Sequence, residues 1–509
     1  MSRPTFRASR RLVSGLLLSM LALAGCQQGM PVAAATQSSG ITAEAKTRDL
    51  ASWQDDIIYF VLTDRFHNGS RANDFNVKPN DPHAYHGGDF DGIIQKLDYI
   101  KDLGATAIWI TPINDNKDDS LVGKYWGFHG YWAHNWEKVD EHLGDEAKFK
   151  ELVREAHKRG IKVMLDIVVN HAGYDAPVTK DATKKDWFHH NGNIENWEDQ
   201  GQLEYRDIHG LPDYNTENPA VIKYMEDMWS GWIARTGIDA FRVDTVKHVP
   251  MAFWSKFNKT IKSRAKKDFM ILGEVLHGDP GYVAPYTREG QFDSVFDFPM
   301  YFTMADVFAR GQSMRKLGDR LRADRAYKDS SLLSPFLDNH DVPRFMSTAG
   351  GDERKLRLAL SFLFTMRGIP TMYYGTENGM KGAGEPENRE DMQFGSNPKL
   401  TSYVKTLMHL RKEQAPLRRG EMLEMWQDDD VYGFSRKHGA DEVLVFLNND
   451  TKAQTREVPL RAESDLKDGT SLVDRLGGTD KISVSNRKIR VTLGPKEAKV
   501  FVVASQRRK

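Results

Sequence analysis

The chain is poor in cysteine, with one residue, Cys26, among 509. No intramolecular disulfide is therefore possible. An excess of charge of either sign is also missing, since 71 basic residues stand against 71 acidic ones. Four of the bases, Arg3, Arg7, Arg10 and Arg11, precede Cys26 with no acid among them, which leaves 67 bases against 71 acids, a net of −4. That balance excludes the basic footprint of a nucleic-acid binder. Long apolar runs are scarce as well: Leu12–Leu23 is too short to be a comfortable membrane span. No internal repeat beyond a βα unit is visible. With 40% hydrophobic residues the chain can still bury a large core, and its length points to more than one domain.

The N-terminus reads as a targeting segment. Arg3 to Arg11 supply a positive region, Leu12–Leu23 an apolar one, and small residues follow, so export is expected, with residues 1–25 as a signal peptide. Leu23-Ala24-Gly25-Cys26 resembles a bacterial lipobox, in which cleavage precedes the cysteine and the thiol is acylated. Cys26 is thus the expected lipid anchor; the alternative is an ordinary secretory cleavage with an incidental thiol. Residues 26–50 begin with a stretch rich in Ala, Gln, Ser and Thr and read as a tether. Gln27 is not the aspartate associated with retention in the inner membrane, so the outer membrane or periplasm, or secretion, is the expected location.

From Asp56 onward, strand-like runs alternate with helix-length segments, the pattern of a parallel α/β sheet. Eight candidate strands are Ile57–Thr63, Ala105–Thr111, Lys162–Val169, Ile238–Val243, Met270–Glu274, Ser294–Phe298, Leu332–Leu337 and Ile369–Tyr374. Eight such units predict a closed (β/α)8 TIM barrel, residues 51–171 and 216–415. The spacing breaks after the third strand, where residues 172–215 are polar, dotted with aromatics and without helical period, an inserted small domain. After Pro416 the pattern changes to short alternating strands, Val431–Arg436, Val443–Asn448, Ile489–Thr492 and Lys499–Val503, which predict a C-terminal antiparallel β-sandwich, residues 416–509.

Polar residues gather where these strands end. The third ends Asp166-Ile-Val-Val-Asn170-His171, the fourth carries Arg242, Asp244, Lys247 and His248, the fifth ends Gly273-Glu274-Val275, and the seventh ends Asp338-Asn339-His340-Asp341. In a barrel all four would face one mouth. Convergent carboxylates beside arginine and histidine suit a reaction that needs an acid, a nucleophile and a stabiliser of positive charge. Taken alone, the fourth block could equally be a surface salt-bridge cluster.

These four blocks, in this order, resemble the four motifs of the α-amylase family of glycoside hydrolases over Asp55 to about Arg411. Leu211-Pro212-Asp213-Tyr214-Asn215 and Gly368-Ile-Pro-Thr-Met-Tyr-Tyr-Gly375-Thr-Glu377 add to the resemblance. So do Thr63-Asp-Arg-Phe-His-Asn-Gly69, Phe128-His-Gly-Tyr-Trp132 and Phe188-His-His-Asn-Gly192, which are similar to the cyclodextrin glucanotransferase and maltogenic amylase group. The resemblance implies a retaining mechanism with Asp244 as nucleophile, Glu274 as acid and then base, and Asp341 as stabiliser of the oxocarbenium-like transition state. It implies that Arg242 keeps Asp244 ionised while Glu274 holds its proton in a different setting. It also implies that His129, His171 and His340 hydrogen-bond the sugar, that Tyr131 stacks on it, that Lys247 and His248 face the acceptor side and that Arg389 faces the donor side. Asp166, Asp338 and Asn339 are expected to shape the mouth rather than react.

Calcium is the cofactor the resemblance implies. Asn170, Asp213 and the His248 carbonyl match a site that clamps the insertion to the barrel, with a further carbonyl from near Glu204. Asn68, Asn73, Asp74, Gly87 and Asp89 match a second, N-terminal loop, in which Asn68 stands for an aspartate and Ser70 for an asparagine; such residues also simply form turns.

Two departures bear on the reaction. Four residues before Asp213 stands His209, where the cyclising enzymes resemble one another in carrying a bulky Phe or Tyr, and the chain ends soon after its first β domain. Both favour hydrolysis. The expectation is an exported, calcium-dependent α-amylase of α-1,4-glucans such as starch or maltodextrin, monomeric, meeting the membrane only through its lipid. The alternatives are a glucanotransferase or maltogenic, cyclomaltodextrin-degrading enzyme, and a non-catalytic glucan-binding surface lipoprotein.

Overall fold

The computed structural model describes residues 51–478 and 481–504. Cys26 and the leader and tether expected before residue 51 lie outside the described residues. Among those described, no helix is long and apolar enough to cross a membrane.

Seven strands form one parallel sheet: β1 (Ile58–Val61), β2 (Ala107–Ile110), β5 (Lys162–Ile167), β6 (Ala240–Val243), β7 (Met270–Gly273), β8 (Ser294–Val295) and β9 (Thr371–Tyr373), in the order β8-β7-β6-β5-β2-β1-β9. Two further strands, β3 (Asn114–Asn116) and β4 (Ala133–Val139), make an antiparallel ribbon between β2 and β5. The barrel strands read as near-continuous apolar runs, such as Ile-Tyr-Phe-Val in β1, because both of their faces are covered.

The eighth stave differs from expectation. Leu332–Leu337 is not a strand, because Pro335 has no N–H to donate to a ladder. The segment nevertheless closes the barrel. Ser334 N–H donates to Val295 O at 3.0 Å and Ser334 O accepts from Asp297 N–H at 2.9 Å on one side; Leu333 O and Pro335 O accept from Ile369 and Thr371 N–H at 2.8 and 2.9 Å on the other. The barrel therefore consists of seven strands and one extended stave.

Helices with defined ends alternate with the strands. Phe90–Leu103 is N-capped by Asp89, whose side chain accepts from Gly92 N–H. Pro219–Thr236 starts with Asn218 as N-cap and proline at N1, and ends at Gly237, whose φ of +74° is the left-handed turn that feeds β6. The insertion is stitched at its base, where Ala172 N–H donates to Pro212 O at 3.0 Å and Tyr214 N–H to Asn170 O at 2.9 Å.

Beyond the barrel, strands β10 (Glu421–Gln427), β11 (Val431–His438), β12 (Asp441–Asn448), β14 (Ser471–Asp474), β15 (Lys481–Ser483) and β17 (Ala498–Val503) form a six-stranded sheet in the order β10-β11-β12-β17-β14-β15. A ribbon of β13 (Gln454–Pro459) and β16 (Lys488–Leu493) packs against it over a second core that includes Leu444, Phe446, Val458, Ile489 and Phe501. The four strands expected here are present, within four more. Buried Arg436, on β11, donates to Thr365 O at 2.7 Å, at the negative end of helix Glu353–Thr365.

Candidate active site

Asp166 and Arg242 are partners in the parallel register of β5 and β6, so both side chains enter the barrel at one level. Arg242 is wholly buried and spreads its charge over three carboxyls. Its Nη1 donates to Asp166 Oδ1 at 2.9 Å and to Asp244 Oδ1 at 2.7 Å, and its Nη2 stands 2.7 Å from Glu274 Oε1. Asp166 also accepts from Tyr131 Oη at 2.7 Å and Trp109 Nε1 at 3.0 Å.

Asp244 and Glu274 each follow the last residue of a strand, β6 and β7, and each backbone N–H still bonds the neighbouring strand, to Ile167 O and Val243 O respectively, at 2.9 Å. Thr245 turns the chain with φ of +49°, a conformation that strains a β-branched residue. The turn aims Thr245 N–H at Glu274 Oε2, 3.1 Å away. The carboxyls of Glu274 and Asp244 are brought to the two Nη atoms of the same guanidinium, each at 2.7 Å.

Arg242 favours the ionised form of Asp244, as expected of a cation beside it, but it does not serve Asp244 alone. One guanidinium faces three buried carboxyls. Burial, with the facing charges of Glu274, Asp166 and Asp341, pushes Asp244 well above the ordinary carboxylate range despite the arginine. Burial and the Asp341 charge raise Glu274, and burial pushes Asp166 up to about 6. One guanidinium serves three buried carboxyls, so their titration belongs to the group rather than to one residue.

The remaining expected residues surround this cluster. His340 Nε2 lies 3.3 Å from Asp341 Oδ2, and Arg389 reaches Asp341 Oδ1 at 3.2 Å while its Nε donates to His340 O at 2.9 Å. Tyr131 stacks between His340 and His129, with ring centres 5.3 and 5.6 Å away, and His171 Nε2 donates to Tyr131 O at 3.1 Å. Burial holds His129 and His340 well below the usual imidazole range and lowers His171 to about 4. Across the mouth, Lys247 Nζ donates to Leu276 O at 3.3 Å and His248 packs beside the insertion, its Nδ1 3.2 Å from Leu203 O. Asp338 is a structural acceptor, taking Phe345 N–H and Thr376 Oγ1, and Asn339 Oδ1 accepts Asp341 N–H.

The first calcium set is stitched together by the base of the insertion, where His171 and Asp213 bridge. Asn170 Oδ1 is buried with no hydrogen-bond partner, and burial raises Asp213 to about 7 with only His189 beside it as a cation. An orphaned amide oxygen and a desolvated carboxylate are the donors a hard cation takes, so Asn170 and Asp213 fit calcium, with His189 Nδ1 on Asp213 Oδ2 at 2.6 Å leaving the other carboxylate oxygen to it. The second set also converges. Asn68 Nδ2 lies 2.8 and 3.0 Å from the Asp74 carboxylate, and Asn73 Nδ2 is 3.4 Å from Asp89 Oδ2. A β-carbon at Gly87 would stand 2.6 Å from Asn68 Nδ2. Asn73 Oδ1 is a buried oxygen without a partner, but both Asp89 oxygens already accept backbone N–H groups, so this set offers a cation less than the first.

Sequence reasoning missed the Thr245 N–H, which has no signal because positive φ normally selects glycine, and the place of Asp166 on Arg242. It also missed Trp197, 43% exposed, whose ring is 5.2 Å from that of His209: the position without a Phe or Tyr has an indole beside it. Asp115, Asp118 and Glu141, with carboxylate oxygens within 4.8 Å of one another, form a further acidic group that the strand-end blocks do not include.

The model of the α-amylase catalytic domain matches residues 60–467. The chain belongs to the α-amylase family. It is an α-amylase-type glycoside hydrolase with the TIM barrel and C-terminal β-sandwich of that family. An α-amylase of Anoxybacillus shares its fold with a TM-score of 0.83 and 43% identity, covering 89% of this chain and 98% of that one. For an α-amylase of Geobacillus thermoleovorans, solved with acarbose, the TM-score is 0.82 and the identity 40% over 89% of this chain and 99% of that one. Among curated family members, a β/α-amylase of Paenibacillus polymyxa is 43% identical over 88% of this chain, which spans 38% of that longer protein. A cyclomaltodextrinase of Thermoanaerobacter pseudethanolicus is 33% identical, with coverage of 79% and 71%.

Proposed function

We propose that this α-amylase-family protein hydrolyses α-1,4-glucosidic bonds of starch, maltodextrin or related α-glucans with retention of configuration. The carrying observation is that Asp244 and Glu274, at the ends of neighbouring strands, are two buried carboxyls held on one guanidinium, Arg242 Nη1 lying 2.7 Å from Asp244 Oδ1 and Nη2 2.7 Å from Glu274 Oε1, which supports a nucleophile and an acid acting on one bond. In this reading Asp244 attacks the anomeric carbon while Glu274 protonates the glycosidic oxygen, and Glu274 then takes a proton from water, which releases the sugar from Asp244. Asp341, His340 and Arg389, linked in one chain of contacts, face the positive charge that develops on the ring and the hydroxyls around it.

Asn170, Asp213 and the His248 carbonyl would hold calcium, with the second loop a weaker candidate. When bound, the ion supplies a clamp between insertion and barrel rather than reaction chemistry. Export and acylation at Cys26 belong to the same proposal and rest on the leader sequence.

Transfer to a sugar acceptor is a second reading, supported by the Trp197 ring beside His209. A time course of products from amylose, pullulan and cyclodextrin, with anomers followed by NMR, tests both. Linear products that appear first as α-anomers are expected. β-Anomers would overturn retention, cyclic or elongated products would favour transfer, and no product from any substrate would overturn the enzymatic reading.

A further inference from the structure

Phe302 lies on helix Phe298–Met304, which begins at the barrel mouth just after β8. It is 41% exposed, one of seven large apolar side chains exposed among the described residues. Two of the seven border the Lys247–His248 side of the site, and Phe302 lies against the loop that carries one of them. Trp197 has its ring 6.0 Å from His248, and Leu276 offers its carbonyl to Lys247. Phe302 rests against Gly278, where an added β-carbon would stand 3.5 Å from its ring.

Leu276 and Gly278 are on the loop that leaves β7 through Glu274. That loop carries the proton donor, so it must run beside the departing part of the substrate. Phe298 and Tyr301 flank the Phe302 ring, at ring-centre distances of 6.4 and 5.0 Å, and the side chain keeps 41% of its surface open to solvent. Covering exposed phenyl surface with apolar groups is favourable. The C–H faces of glucose units are such groups, and an α-glucan already seated on Glu274 would be delivered along this loop.

We propose that Phe302 is an outer platform for the leaving-group side of the glucan, beyond the units that Lys247 and Leu276 face, and that it gives the enzyme a preference for long chains. The inference rests on the hydrolytic reading above. A glycine at position 278 lets the ring lie flat on the acid-bearing loop, and the lack of any charged group on the ring makes the platform tolerant of chain register.

The test compares kcat/KM for maltoheptaose and maltotriose in wild type, Phe302→Ala and Phe302→Trp. The alanine variant should lower the long-to-short ratio about three- to tenfold, through KM for the longer chain, and tryptophan should restore it. Binding of maltoheptaose to Glu274→Gln should weaken by the same factor when Phe302→Ala is added. A ratio unchanged by Phe302→Ala, or equal losses on both substrates, overturns the proposal while leaving hydrolysis standing. A wild type inactive on both sugars would overturn the functional reading and this inference together. Melting temperatures of the variants separate a binding effect from a folding defect.

Discussion

The N–H of Thr245 donates to Glu274 Oε2 at 3.1 Å, so the residue after Asp244 on one strand end steadies the carboxyl of the next. The bond exists because Thr245 takes a left-handed conformation that its β-branched side chain disfavours. Barrel closure over-determines the turn: Asp244 N–H is tied to β5, and Val246 N–H to Glu274 O at 3.1 Å.

Replacing Glu274 by glutamine keeps an oxygen for the Thr245 N–H but removes the transferable proton. Starch hydrolysis should fall by about three orders of magnitude or more, with a melting temperature near that of wild type. Undiminished hydrolysis would remove Glu274 from its proposed role.

Asp166→Asn tests the shared cation. The Asp166 charge is one of those that push Asp244 upward, so its loss lets Asp244 ionise more readily and leaves more of Arg242 to it. The acidic limb of kcat/KM should move to lower pH by about one unit. A limb that stays fixed, or moves upward, would show that the Asp166 charge does not act on Asp244.

Calcium should stabilise the fold through the first set. Chelation should lower the melting temperature, and calcium at about a hundred times its Kd should restore about 2.7 kcal/mol. Asn170→Ala, which removes the orphaned oxygen, should abolish most of that response. A chelator without effect on wild type would refute the metal assignment.

The buried histidines set an acid limit. His171 is lowered by burial to about 4 in the folded state, against 6.5 for the free imidazole, so the unfolded chain binds its proton first. Its stabilising contribution is present above about pH 6.5 and is lost as pH falls towards 4, at up to ~1.4 kcal/mol per pH unit. Buried carboxyls with raised pKa act in the opposite sense, so the informative quantity is a difference. Between pH 6.5 and 4, denaturant-derived stability should fall less steeply in His171→Asn than in wild type; equal slopes would contradict this.

The strand-end blocks were legible because a barrel strand is apolar until it leaves the sheet, so the change from Ala-Phe to Arg-Val-Asp marks the mouth in the sequence itself. The barrel and the C-terminal sheet followed from such periodicities, and the insertion from the break in their spacing. Pro335 was the exception, since an apolar run around it reads as a strand although proline cannot donate to the ladder.

The sequence by itself determined which side chains could do chemistry and at which end of the barrel they would stand, because the order of apolar and polar residues along a parallel strand is a local property. Only the tertiary structure decided how they share one another. The β5–β6 register sets Asp166 beside Arg242, strand closure bends Thr245 towards Glu274, and folding of the insertion lays Trp197 beside His209. The first two join segments distant along the chain, the third joins two turns of one insertion, and no local pattern of residues encodes them.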